Sequence, residues 1–142
     1  MILLDANILL YAEDSLNPRN KEARAWLDEQ LSGETTVCFC WTTINAFIRI
    51  STNRRIFTNP LSASQAVSRV HSWFEQPAVK IILPTENHWE FFKDLITSGQ
   101  ATANLVPDAH LAALAMEHGC TLYSTDSDFS RFPRLKWKNP LK

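Results

Sequence analysis

The chain opens Met1-Ile2-Leu3-Leu4-Asp5-Ala6-Asn7-Ile8-Leu9-Leu10, an apolar run that meets a carboxylate at once. A short apolar run closed by a polar residue reads as a buried strand. No basic segment precedes it, so a secretory signal is not expected. The same form returns at residues 37–40, at 80–83, at 121–123 and, more briefly, near 135–137. Helical stripes lie between these runs. Ala23, Trp26, Leu27 and Leu31 share one face, with Gly33 just past the end. Ile44, Phe47 and Ile48 mark a second helix, and Ser62 with Gln65 forms a capping box ahead of Ala66, Val67, Val70, Trp73 and Phe74. Thr85 is placed to cap a helix carrying Trp89, Phe92, Leu95 and Ile96 and ending at Gly99. Pro107 suits the first turn of another, with Leu111, Ala112 and Ala115 on one face and Gly119 behind it. Strands alternating with helices of this length predict right-handed crossovers and a parallel sheet covered on both faces, an α/β fold.

In open sheets of that class, ligands bind beyond the carboxyl ends of the strands. The residues there are acidic. Asp5 follows the first run, Asp126 follows Leu122-Tyr123-Ser124-Thr125 with Asp128 two residues on, and Asp108 opens the helix Pro107-Asp108-Ala109-His110-Leu111. Each has an ordinary explanation taken singly. Asp108 suits a helix N-terminus, Asp126 and Asp128 suit a turn, and Asp5 suits an Asx-turn. Gathered at one sheet edge they would repel, and stay ionised cheaply only beside a cation. Hard oxygen donors of this kind select Mg²⁺ or Mn²⁺, which implies metal-assisted phosphodiester hydrolysis.

Four stretches in order carry a resemblance. LLDANILLYA at the start, FIRISTNRRIFTNPLS (47–62), VPDAHLAALAMEHG (106–119) and YSTDSDFSRF (123–132) resemble PIN-domain ribonucleases, particularly VapC-type toxins of bacterial toxin–antitoxin pairs. The likeness spans nearly the whole chain, residues 1–142, as one domain. It implies a three-layer, flavodoxin-like α/β/α fold around a mostly parallel sheet of about five strands. It also implies endonucleolytic cleavage of RNA at an acidic site holding Mg²⁺, with Mn²⁺ as the alternative ion. By motif, Asp5 and Asp108 match direct metal ligands. Asp126 matches the acid that binds a second ion or orients the attacking water, with Asp128 as a supporting or alternative ligand. The family further implies a cognate antitoxin and a homodimer, with apolar positions on the Ile44–Phe47 and Val70–Phe74 segments as its expected interface.

One departure stands out. Many PIN nucleases carry another acid, often Glu, in the helix after the second strand. Here that helix reads Trp41-Thr-Thr-Ile-Asn-Ala-Phe-Ile-Arg-Ile50, without Asp or Glu. Asn45 or Thr43 could offer an oxygen there, but no charge. Fewer acids mean weaker cation binding. The departure motivates an alternative, an RNA-binding PIN module with weak or no catalysis. A phosphotransferase using Asp5 as nucleophile fits less well, because it wants a second acid two residues on, where Asn7 stands.

Supporting residues read as follows. Asn7 could cap the first helix or fix Asp5, and Thr125 could bond a ligand carboxylate. His110 is close to Asp108 in sequence, but Mg²⁺ prefers oxygen. His118 suits a helix C-terminus, and His71 and His88 read as helix-surface or part-buried residues. Trp41 and Trp137 could stack on unpaired bases.

The chain has 14 Lys+Arg against 15 Asp+Glu, a formal net charge of -1, so no global field draws it to nucleic acid. The charges are separated, however. After Asp128 every charged residue is basic (Arg131, Arg134, Lys136, Lys138 and Lys142), and Arg49, Arg54 and Arg55 flank the end of the second predicted helix. Such a rim could hold phosphates. At 45% hydrophobic with five Trp, the composition is that of a folded domain, and no apolar run approaches a membrane span. Three cysteines, two of them in an apolar run, fit reduced thiols better than a disulfide framework, with the cytoplasm as the expected compartment. Zinc at Cys38 and Cys40 finds no further Cys or His pair at suitable spacing.

Overall fold

The computed structural model describes residues 1–141; Lys142, counted in the basic tail above, lies outside them. Five strands, β1 (Ile2–Leu4), β2 (Val37–Phe39), β3 (Val79–Ile81), β4 (Thr121–Tyr123) and β5 (Trp137–Lys138), form one sheet of order β3-β2-β1-β4-β5. Every pairing is parallel. Six α-helices accompany them among the described residues: α1 (Ala6–Glu13), α2 (Asn20–Leu31), α3 (Trp41–Ser51), α4 (Ala63–Phe74), α5 (His88–Ser98) and α6 (Leu105–Glu117). This is the expected three-layer α/β/α arrangement.

Strand parity divides the core. Side chains alternate across a sheet, so Leu3, Cys38 and Leu122 pack on one face with Leu95, Ala112 and Leu114. Ile2, Leu4, Val37 and Phe39 pack on the other with Leu9, Leu27, Ile44, Phe47, Val70 and Trp73. β1 and β2 are buried on both faces and so read as continuous apolar runs of three residues each. Helix α6 is buried almost all round: Ala109 and every residue from Leu111 to Ala115 are covered. Its alanines let it lie close against the sheet.

The helix ends explain several of the sequence signals. Ser62 Oγ accepts from Gln65 N at 3.1 Å while Gln65 Oε1 accepts from Ser62 N at 2.8 Å, completing the capping box. Gly119 takes φ 69° after α6, with Gly119 N bonded to Met116 O and Cys120 N to Ala115 O, a Schellman ending. Thr85 does not cap α5. That helix starts at His88, and Thr85 Oγ1 instead accepts from Asn87 N at 3.2 Å in the preceding turn.

The apolar positions assigned to a homodimer surface are also placed differently. Ile44, Phe47, Val70 and Trp73 are all buried in the second core cluster, because α1, α4 and the sheet close over them. The exposed large apolar residues on those two helices are Trp41 and Val67. The three cysteines are buried free thiols. No helix is long and apolar enough to cross a membrane among the described residues.

The chain builds β1, β2 and β3 outward in one direction, then crosses to lay β4 and β5 on the opposite side of β1. The switch point therefore lies between β1 and β4, where an open α/β sheet leaves a crevice at the strands' carboxyl ends. Asp5 follows β1 and Asp126 follows β4.

Candidate metal centre

Asp108, Asp126 and Asp128 each present a carboxylate oxygen within 4.8 Å of the others. Asp108 comes from the first turn of α6, whereas Asp126 caps the 3₁₀ turn Ser127–Arg131 that contains Asp128. Asp126 Oδ1 accepts from Asp128 N at 2.9 Å, so the turn itself aims the two acids. Asp5 stands beside this group without meeting the same spacing to all its members. Its backbone N–H extends the ladder to Tyr123 O at 3.0 Å, and its Oδ1 accepts from Ala6 N at 2.8 Å at the head of α1.

Ser124 organises the junction and was not singled out by the sequence reading. Fully buried, its Oγ donates to Asp5 Oδ2 at 2.7 Å and accepts from Asn7 Nδ2 at 3.1 Å and from Asp126 N at 3.0 Å. A hydroxyl has one proton and two lone pairs; all three are used. The role expected of Thr125 thus belongs to its neighbour, and Asn7 reaches Asp5 through that hydroxyl. Trp137 is committed as well. Its indole N–H donates to Ser124 O at 3.0 Å, fixing the loop instead of leaving the ring nitrogen free toward solvent.

The electrostatics are those of crowded acids. Burial, then the charges of Asp126, Asp5 and Asp128, push the Asp108 carboxyl up to about 6, with Arg131 opposing them. Burial also raises Asp5; the bonds from Ser124 and Ala6 pull the other way, and Asp126 adds to the rise. Such a set is costly to ionise without a cation, and it offers oxygen donors only, which suits a hard divalent ion.

Helix α3 adds nothing to this set. Thr43 is buried and its hydroxyl donates to Leu4 O at 3.2 Å, so it holds the strand behind Asp5. Asn45 is exposed. His110 turns to His88 at 3.0 Å, and burial holds its imidazole below the ordinary value, with the neighbouring His88 acting in the same direction. His118 ends α6 and bonds Leu83 O at 2.7 Å.

Of the basic residues, Arg131 is the one whose charge is felt at Asp108. Its Nη1 donates to Gly99 O at 2.8 Å, while its buried Nε has no partner among the described residues. Arg134 pairs with Asp94. Arg54 and Arg55 are exposed and lie beyond an eleven-residue helix, about 16 Å long, so they are remote from the end of β2.

The three aspartates at the switch point of a five-stranded parallel α/β sheet form an acidic group that could hold a metal ion. The chain belongs to the PIN-domain family, whose sequence model matches residues 2–135. It is 40% identical over 140 residues to ribonuclease VapC37 of Mycobacterium tuberculosis, covering 99% of this chain and 97% of that one. It is 32% identical over 142 residues to ribonuclease VapC33 of the same organism, covering 100% and 99%. Among solved structures, VapBC2 from Rickettsia felis, bound to a DNA fragment from its promoter, superposes with a TM-score of 0.72 at 19% identity, covering 98% of each chain.

Proposed function

We propose that this chain is a divalent-cation-dependent endoribonuclease acting as the toxin of a toxin–antitoxin pair. The observation that carries the reading is the meeting of Asp108, Asp126 and Asp128 oxygens within 4.8 Å at the switch point. Full-length similarity to two VapC ribonucleases supports the substrate class.

In this reading Asp108, Asp126 and Asp128 hold the ion, while Ser124 keeps Asp5 turned toward the same crevice. A bound Mg²⁺ or Mn²⁺ would supply positive charge against the phosphoryl oxygens of an RNA strand and acidify a water for attack on phosphorus. Asp5, raised by burial and by Asp126, is placed to accept a hydrogen bond from that water or to complete a second cation site. Arg131 offers guanidinium N–H groups to a phosphate beside Asp108. A cognate antitoxin would neutralise the chain by covering this crevice. The absence of an acid from α3 favours one ion over two, and it is the feature that keeps an RNA-binding module with little catalysis as the second reading.

Induced expression of the chain, followed by sequencing of new RNA 5′ ends, separates the two. Growth arrest with discrete new ends is expected. Folded Asp108→Asn should lose both, and co-expression of an antitoxin encoded beside the gene should suppress them. Arrest without new ends would favour the binding module, and arrest that persists unchanged in folded Asp108→Asn would refute the proposed site.

A further inference from the structure

The carboxylate of Glu117 is buried at the end of α6, its side chain 1% exposed, and it takes no part in the acidic group. It accepts from Thr85 N at 2.9 Å and pairs with His88 Nδ1 at 2.8 Å. The Glu117 carboxylate accepts from Nδ1–H, and in the neutral ring with that tautomer Nε2 carries the lone pair. That nitrogen lies 3.0 Å from Nδ1 of His110, across the seam between α5 and α6, with the ring planes 71° apart. Side chains two apart on a helix do not share a face, so His110 faces α5 while Asp108 faces the acidic group.

We propose that His88 and His110 form a separate cation site for a borderline transition-metal ion such as Zn²⁺, with Glu117 orienting His88 from behind. Two nitrogens bound to one tetrahedral zinc at about 2.0–2.1 Å stand roughly 3.3 Å apart. The two nitrogens, 3.0 Å apart, need to part by a few tenths of an ångström, and each ring needs to turn by roughly 35° to aim its lone pair at an ion lying off the line between them. A ligating imidazole whose other N–H is held by a carboxylate is the usual environment of protein-bound zinc. Nitrogen donors favour Zn²⁺ over Mg²⁺, the reverse of the preference at the three aspartates. The His88 side chain is 16% exposed, and waters would complete the coordination of the ion. With His88 in that tautomer and no ion bound, His110 Nδ1–H donates to His88 Nε2; binding would move that proton to His110 Nε2, a change of tautomer. The ion would tie the first turn of α5 to the helix that carries Asp108. The site stands independently of the nuclease reading, because it is assayed without RNA.

The test uses the full chain carrying Asp108→Asn and Asp126→Asn, so that the acidic group is crippled, titrated with zinc chloride in excess Mg²⁺. Calorimetry should give one Zn²⁺ per chain, and the melting temperature should rise with zinc. His88→Gln or His110→Gln should weaken binding at least about tenfold, and Glu117→Gln by about 10- to 100-fold. No zinc-dependent rise, or one that survives both histidine substitutions, overturns the proposal. Because Glu117→Gln disturbs a buried network, the unsubstituted chain gives a second reading with Co²⁺. Intense visible bands of a four-coordinate, nitrogen-ligated ion are expected; only the weak spectrum of a six-coordinate oxygen-ligated ion would again overturn it.

Discussion

The hydroxyl of Ser124 donates to Asp5 Oδ2 at 2.7 Å, joining the end of β4 to the end of β1 across the switch point. Through Asp126 N, bonded to the same oxygen at 3.0 Å, one buried side chain sets both the carboxylate after β1 and the turn that presents Asp126 and Asp128. The geometry of the acidic group therefore depends on a residue that contributes no charge to it.

Ser124→Ala should expose that dependence. It removes the partner of Asp5, of the Asn7 amide and of Asp126 N–H at once. Leaving buried polar groups unpaired costs about 1–3 kcal/mol, readable in a denaturant melt. Loss of an orienting partner costs about 10- to 100-fold in cation affinity, readable by Mn²⁺ titration. A variant with unaltered affinity would mean that Asp5 and Asp126 hold their positions without the hydroxyl.

The pH dependence has a definite sign. In the folded chain the Asp108 carboxyl is raised to about 6, against about 3.9 when unfolded. Between those values the folded state binds more protons, so the ion-free protein should lose stability as pH rises through this window and remain lower above it. Asp108→Asn should reduce that slope, leaving the part that the likewise raised Asp5 carboxyl contributes, and, at pH 7 without divalent ions, melt above the parent chain. Protons compete with cations for the same oxygens, so ion affinity should fall as pH drops below about 6. Arg131→Gln, by removing the opposing charge, should move that midpoint upward. Melting curves and cation titrations across pH 4–8 check both.

Two adjacent residues at the end of α5 should respond in opposite directions. Gly99 is not in a left-handed conformation; a Cβ there would meet Phe132 Cε1 at 2.6 Å and Leu95 O at 2.8 Å. Gln100 instead takes the left-handed position, φ 49°, with Ala101 N bonded to Ile96 O. Gly99→Ala should therefore destabilise by about 1–3 kcal/mol through overpacking. Gln100→Gly should stabilise by about 1 kcal/mol by relieving the left-handed strain. Chemical denaturation of the two variants decides it.

The strands and the acids were readable from sequence because each signal is local. A short apolar run ending in Asp carries its burial and its sheet-edge position together, and Pro107-Asp108 marks a helix start wherever that helix packs. Ser124 was not readable for a definite reason. In Leu122-Tyr123-Ser124-Thr125 the inward-facing hydroxyl depends on where β4 stops, and one residue of slip exchanges the two faces. The burial of Ile44 and Phe47 depends on α1 and α4 closing over α3, and the meeting of Glu117, His88 and His110 depends on how α5 lies on α6. Those are tertiary facts with no local spacing. The net charge of -1 is similarly uninformative until the acids are gathered and Arg131 is placed next to Asp108.

The most direct test of the central claim is cleavage of cellular RNA by the purified chain with and without divalent ions. Discrete cleavage is expected with Mg²⁺ or Mn²⁺, lost on chelation with EDTA and restored by excess Mn²⁺. Folded Asp108→Asn and Asp126→Asn should each fall by at least about 100-fold, as expected when a group acting on the transition state is removed. Cleavage that persists in EDTA, or that survives in the folded double variant, would contradict the account.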